Sequence, residues 1–194
     1  RINTHMIAQH EGWEGDEDNI DLVKANSNVM QGSNESFTDL LDWIAENGID
    51  TDEEMAYVNS IVDVRNYMEY VAVQSFTGNT DLLNVKRYRN SNAEDSRWKW
   101  ILFDMDWAFN EDTNSARRWL NPDGAGSGNK TNNKLFIALM KNEKFFDEFT
   151  RLLHSALDFD LLDVEELLSD TFTKDRHRVK AMVNSWKNKN PGKY

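Results

Sequence analysis

Cysteine is absent from the 194 residues. That excludes a disulfide framework, a zinc site built on thiolates and a thiol nucleophile, and it leaves the redox compartment undetermined. Proline occurs only at Pro122 and Pro191, so most of the chain is free to be helical. No apolar run approaches the ~18 residues a membrane span requires, and no signal peptide is evident. Positive charge is the scarcer sign: 22 Lys and Arg stand against 34 Asp and Glu, a formal net charge of −12. This balance argues against a nucleic-acid backbone or an anionic membrane as partner. What the chain does have is core material. Hydrophobic residues make up 39% of it and aromatics 11%, with seven Trp, which is too much for a disordered segment. About 70% of the unfolded surface can be buried at this length, enough for one domain or one large lobe of something bigger. The first residue is Arg1 rather than Met, so a processed or excised piece is expected.

A short helix is expected within residues 1–11, then an acidic turn over 12–19, a strand from Ile20 to Lys24 and a polar stretch from Asn26 to Asn34. Ser36, with Asp39 three residues on, caps a helix to about Glu46; Phe37, Leu40, Leu41 and Ile44 share a face, and Gly48 stops it. Thr51 and Glu54 have capping-box spacing and open a second helix through Met55, Val58 and Ile61. Asp63 caps a third, where Tyr67, Met68, Val71, Ala72 and Phe76 recur near helical spacing before Gly78. After Gly78 the period changes. Val85–Arg89 alternates, and Trp98–Phe103 is aromatic and β-branched; with the polar residues 90–97 between them they form a hairpin. Residues 107–133 read as irregular, and helical patterning returns over 131–142, 143–157, 163–171 and 173–187. The fold class is α+β, mostly helical, with a central two-stranded hairpin. Trp98, Trp100 and Trp107 read as core.

The chemistry-bearing residues bracket that hairpin. Asp81 and Asn84 precede its first strand, and Asp104 and Asp106 follow its second. The start of the first strand and the end of the second lie at the same end of a hairpin, so these four side chains should converge. Three carboxylates and an amide in one place repel each other unless a cation compensates, and hard oxygen donors suit Mg²⁺ or Mn²⁺. Phosphoryl transfer offers natural roles: one Asp accepts the hydroxyl proton, while an Asn and a later Asp hold metal against phosphate oxygens. Asp, Asn, hairpin, Asp is the order of the protein-kinase catalytic lobe.

At FTGNTDLLNVKRYRN (76–90) followed by RWKWILFDMDWAF (97–109) the chain resembles the CotH-type spore-coat kinases, an atypical protein-kinase-like family. HEGWEGDEDNIDLVKANSNV (10–29) and NEKFFDEFTRLLHSALDF (142–159) extend the resemblance over nearly the whole chain. It implies a kinase-like C-terminal lobe as a single domain over residues 1–194. Asp81 would be the catalytic aspartate, Asn84 and Asp104 metal ligands, and Asp106 a second metal-site carboxylate. The implied activity is transfer of the γ-phosphate of ATP, with Mg²⁺ or Mn²⁺, to Ser or Thr of a coat or surface protein, at a cell surface, in the secreted fraction or on a spore coat. Lys86 would contact nucleotide or substrate; alternation sends Lys86 and Arg87 to opposite faces. Two features depart from ordinary kinases. No strand pattern before residue 20 supplies the phosphate-neutralising Lys and its Glu, so most of an N-terminal lobe is expected to be missing. The spacing from Asp81 to Asn84 is also shorter than usual.

Other readings fit less well. Haloacid-dehalogenase-type phosphatases share Asp-x-Asp after an apolar strand, yet Ala108 stands where they need Thr or Val, and a helical array follows instead of βαβ units. A metal-dependent glycosyltransferase needs a nucleotide-sugar fold where 36–76 is helical. Gly124–Thr131 fails as a phosphate loop because Asn129 precedes Lys130 where Gly is needed. The four His show no ligand spacing. A non-catalytic surface or coat scaffold with an acidic cation-binding cluster is the alternative function.

Overall fold

Local capping chemistry sets most helix starts. Asn3 opens α1 (Thr4–Glu11) by accepting the Met6 N–H, and Gly12, at φ 75°, closes it. In α2 (Glu35–Asn47) the cap position is Asn34, not the expected Ser36. The Ser33 hydroxyl takes the Glu35 N–H, and Ser36 lies inside the helix, where its hydroxyl accepts the indole N–H of Trp98 at 3.0 Å. A buried indole N–H requires an acceptor, and that need takes the serine. The expected capping box is present at α3 (Asp52–Ile61): Thr51 and Glu54 each take the other's backbone N–H. Asp63 caps α4 (Val64–Phe76) through the Asn66 N–H.

The computed structural model describes residues 2–79, 81, 84–108, 118–122 and 130–157. Within them the class is mixed α+β and mostly helical, with six helices and one antiparallel sheet of four strands in the order β2-β1-β3-β4. The strands are β1 (Ile20–Lys24), β2 (Asn28–Gln31), β3 (Lys86–Asn90) and β4 (Lys99–Trp100). The β3–β4 hairpin is as expected, but it is half of a larger sheet. β1 pairs with β3 along its length, from Ile20 opposite Asn90 to Lys24 opposite Lys86, and the polar stretch after Lys24 returns as β2. Three of the four β2 residues are exposed at the sheet edge, so no buried alternation marks them in sequence. β4 is shorter than Trp98–Phe103: Ile101 donates its N–H to the Lys86 carbonyl at 3.2 Å, and the chain then leaves the ladder.

One sheet face, carrying Val23 and Trp100, packs on Phe37 and Leu40 of α2, Tyr67 and Val71 of α4, and Leu135 and Phe136 of α5 (Lys130–Leu139). Phe145 and Phe149 of α6 (Glu143–Leu157) close that core. Ile20, Leu22 and Tyr88 on the other face meet Ile7 and Ala8 of α1. Arg87 enters the large core. It is fully buried 4.1 Å over the Phe37 ring, and it donates to the carbonyls of Ala25 and Asn26 and to Asn34 Oδ1. Burial pulls its pKa down to about 9, so it remains a cation at neutral pH.

No helix among the described residues is long and apolar enough to cross a membrane. The helices expected over 163–171 and 173–187 lie outside the described residues.

Candidate functional site

The site is built where α4 hands over to β3. The chain turns at Gly78 with φ 63°, a conformation open to glycine without strain. Asn79 follows, 1% exposed, and binds in three directions. Its amide nitrogen donates back to Gln74 Oε1 at 2.7 Å and across to Met105 Sδ at 3.5 Å, while its Oδ1 accepts the Asp81 N–H at 3.1 Å. Asp81 is thereby tied both to the helix behind it and to the segment after β4. Sequence reasoning did not single out Asn79; the available signal is an Asn two residues before an Asp, the spacing of an Asx turn.

The other side is fixed by Asn66 of α4. Its Oδ1 takes the Trp100 N–H at 2.6 Å and its amide nitrogen reaches the Trp100 carbonyl at 3.4 Å, which holds β4 where it ends. Between the two arms stands Asn84, whose Nδ2 donates to Asp81 Oδ2 at 2.7 Å and to Asp104 Oδ2 at 2.5 Å. Asp106 lies near enough to Asp104 for its negative charge to act on that carboxyl. The four residues that the hairpin argument brings together are therefore neighbours. Lys86 is not among them: its buried ammonium donates to the Ile2 carbonyl at 3.4 Å and lies 4.8 Å over the Phe103 ring. Trp107, expected in the core, is 57% exposed, because the strand that would have carried it inward ends at Trp100.

Electrostatics single out Asp104. Its carboxyl is raised above the ordinary range, first by partial desolvation and then by the negative charges of Asp106 and Asp81; the charge of Lys24 opposes the rise. Neither Asp104 nor Asp106 makes an ion pair among the described residues. Asp104 also has φ 56°; among the described non-glycine residues only Ala25, just past β1, shares a positive φ. Left-handed backbone at such a residue costs on the order of 1 kcal/mol, and such strain gathers at functional sites.

Among the described residues no three carboxylates or imidazoles stand close enough to enclose one metal ion. Mg²⁺ is usually held by one or two carboxylates completed with water and phosphate oxygens rather than by an all-protein cage. Asn84, Asp104 and Asp106, an amide and two carboxylates with hard oxygen donors, fit that demand.

No curated protein and no solved structure matches the chain. A family model described as CotH kinase protein matches residues 2–190, and with that coverage the chain belongs to the CotH kinase protein family.

Proposed function

We propose that residues 1–194 act as one kinase-like catalytic lobe that transfers the γ-phosphate of ATP to Ser or Thr hydroxyls of a protein substrate, a coat or surface protein, with Mg²⁺ or Mn²⁺. The observation that carries this reading is the Asn84 amide joining Asp81 and Asp104 at the open end of the hairpin. Asp81, held by Asn79, accepts or orients the substrate hydroxyl proton. Asn84, Asp104 and Asp106 hold the metal, which when bound neutralises and orients phosphate oxygens. Like charges gathered at an exposed sheet end, one of them on strained backbone, are the arrangement that a cation and a nucleotide relieve. A contact from Lys86 to nucleotide or substrate belongs to the same reading and requires its ammonium to exchange the Ile2 carbonyl for the ligand. The family resemblance supports a location at a cell surface, in the secreted fraction or on a spore coat.

Thermal unfolding with Mn²⁺, with ATP and with both tests the proposal. A ligand at about 100 times its dissociation constant stabilises by about 2.7 kcal/mol, which is roughly 5–10 °C for a chain of this size. Mn²⁺ and ATP should act together in the wild type and not in Asp104→Ala. Asp81→Ala should keep that shift while phosphotransfer falls by about 10²–10⁴-fold. Equal ATP affinity in wild type and Asp104→Ala would overturn the metal assignment. A shift with the cation alone would favour the non-catalytic scaffold.

A further inference from the structure

We propose that Lys24, the last residue of β1, is a phosphate-binding residue of this site, its ammonium taking an oxygen of the nucleotide's terminal phosphates beside Asp104. The inference rests on the kinase-like reading above and adds a residue to it.

Lys24 and Lys86 are directly opposite on β1 and β3, so both point to the α1 face of the sheet. Ile101 packs into the cluster on that face, and Phe103 covers the Lys86 ammonium at 4.8 Å. Residues 101–104 therefore run from the β4 edge across the end of β3 and toward β1, delivering Asp104 to the side where Lys24 stands. Lys24 is the positive charge that acts on Asp104. Lys86 is already engaged by the Ile2 carbonyl and the Phe103 ring, so among the described residues Lys24 is the lysine on this face whose charge acts on Asp104.

Lys24 is partly buried, and its ammonium makes no hydrogen bond or ion pair among the described residues. The backbone immediately after it is heavily anchored. The Ala25 N–H donates to the Val85 carbonyl at 2.8 Å, and the Ala25 carbonyl accepts from Arg87 at 2.9 Å and from Asn132 at 3.3 Å. Asn26 takes the Thr131 N–H on its side-chain oxygen and the Thr131 hydroxyl on its carbonyl, each at 3.1 Å. A rigid backbone under an uncommitted ammonium is preorganisation: little ordering remains to be done when an anion arrives. The anion needs it, because three carboxylates repel phosphate wherever a metal does not screen them, and a lysine supplies a charge-assisted bond without adding a ligand to the metal.

The test is equilibrium binding of ATP and of AMP, each with saturating Mn²⁺, to wild type, Lys24→Met, Lys24→Gln and Lys24→Arg. A lysine on the terminal phosphates makes Lys24→Met and Lys24→Gln lose ATP affinity by about 10- to 100-fold, with AMP affinity unchanged and Lys24→Arg within a few-fold of wild type. If the neutral variants keep the wild-type ratio of ATP to AMP affinity, Lys24 only balances Asp104 and the proposal falls, even if their unliganded stability drops. Wild type that binds ATP while Lys24→Met binds it equally well removes Lys24 alone. Wild type that binds neither nucleotide removes the kinase-like reading and Lys24 with it.

Discussion

Arg87 and Asp104 are both charged, both belong to the hairpin region, and are surrounded in opposite ways. Arg87 is fully buried, yet its NH1 and NH2 groups donate to three acceptors and its plane lies on aromatic rings. Asp104 is exposed, but its neighbours Asp106 and Asp81 carry its own sign, its backbone is left-handed and its carboxyl is raised. The dry charge is compensated by carbonyl and amide oxygens; the wet one is left with its electrostatic demand unmet. Desolvation explains the first, since a buried cation without acceptors would not persist. The second keeps a surplus of negative charge that Asn84 and Lys24 offset only in part, and it is this surplus that the proposed metal and nucleotide would satisfy.

The comparison breaks most visibly at Arg87. Arg87→Ala strips hydrogen bonds from the Ala25 and Asn26 carbonyls and opens a cavity beside Phe37, so the expected loss is about 3–5 kcal/mol by denaturant unfolding. A loss under about 1 kcal/mol would mean that water replaces the guanidinium and that the buried charge is not completed by design of the core.

Ser36→Ala probes the same buried side at one hydrogen bond. It leaves the fully buried Trp98 indole N–H without its acceptor and should cost about 1–3 kcal/mol, although the hydroxyl caps nothing. An effect confined to the few tenths expected from helix propensity would show that the indole finds another acceptor.

Asp104→Asn should act in the opposite direction and by the least. A carboxyl whose folded pKa is raised contributes stability that is full below its ordinary value of 3.8 and lost as pH rises through the raised value. Asparagine keeps an acceptor for Asn84, tolerates the left-handed backbone and has no charge to lose. The variant should therefore melt slightly above wild type at neutral pH, and the gap should close as pH is lowered toward 3.8. A gap that widens on acidification would mean that the Asp104 carboxylate gains more from its partners than it loses to its neighbours.

The sequence was most legible where a local rule decides the outcome. The Thr51–Glu54 box, the Asp63 cap and the Gly48 stop are short-range chemistry, and they stand as read. The convergence of Asp81, Asn84, Asp104 and Asp106 was legible too, because antiparallel strands must bring their open ends together. β2 was not legible, since an exposed edge strand carries no buried pattern, and neither was the diversion of Ser36 to Trp98, which is 62 residues away. Trp107 was misplaced for a related reason: where β4 leaves the ladder is fixed by Asn66 gripping Trp100, a contact that periodicity does not contain.

By itself, then, the order of residues determined the helix caps, the hairpin and the four polar residues at its end, because each depends on neighbours in the chain or on the geometry of one turn. Only the tertiary structure decided which lysine faces those carboxylates. Lys24 and Lys86 look alike in sequence, but pairing of β1 with β3 places them side by side, and the return of Phe103 across β3 engages one and leaves the charge of the other to act on Asp104.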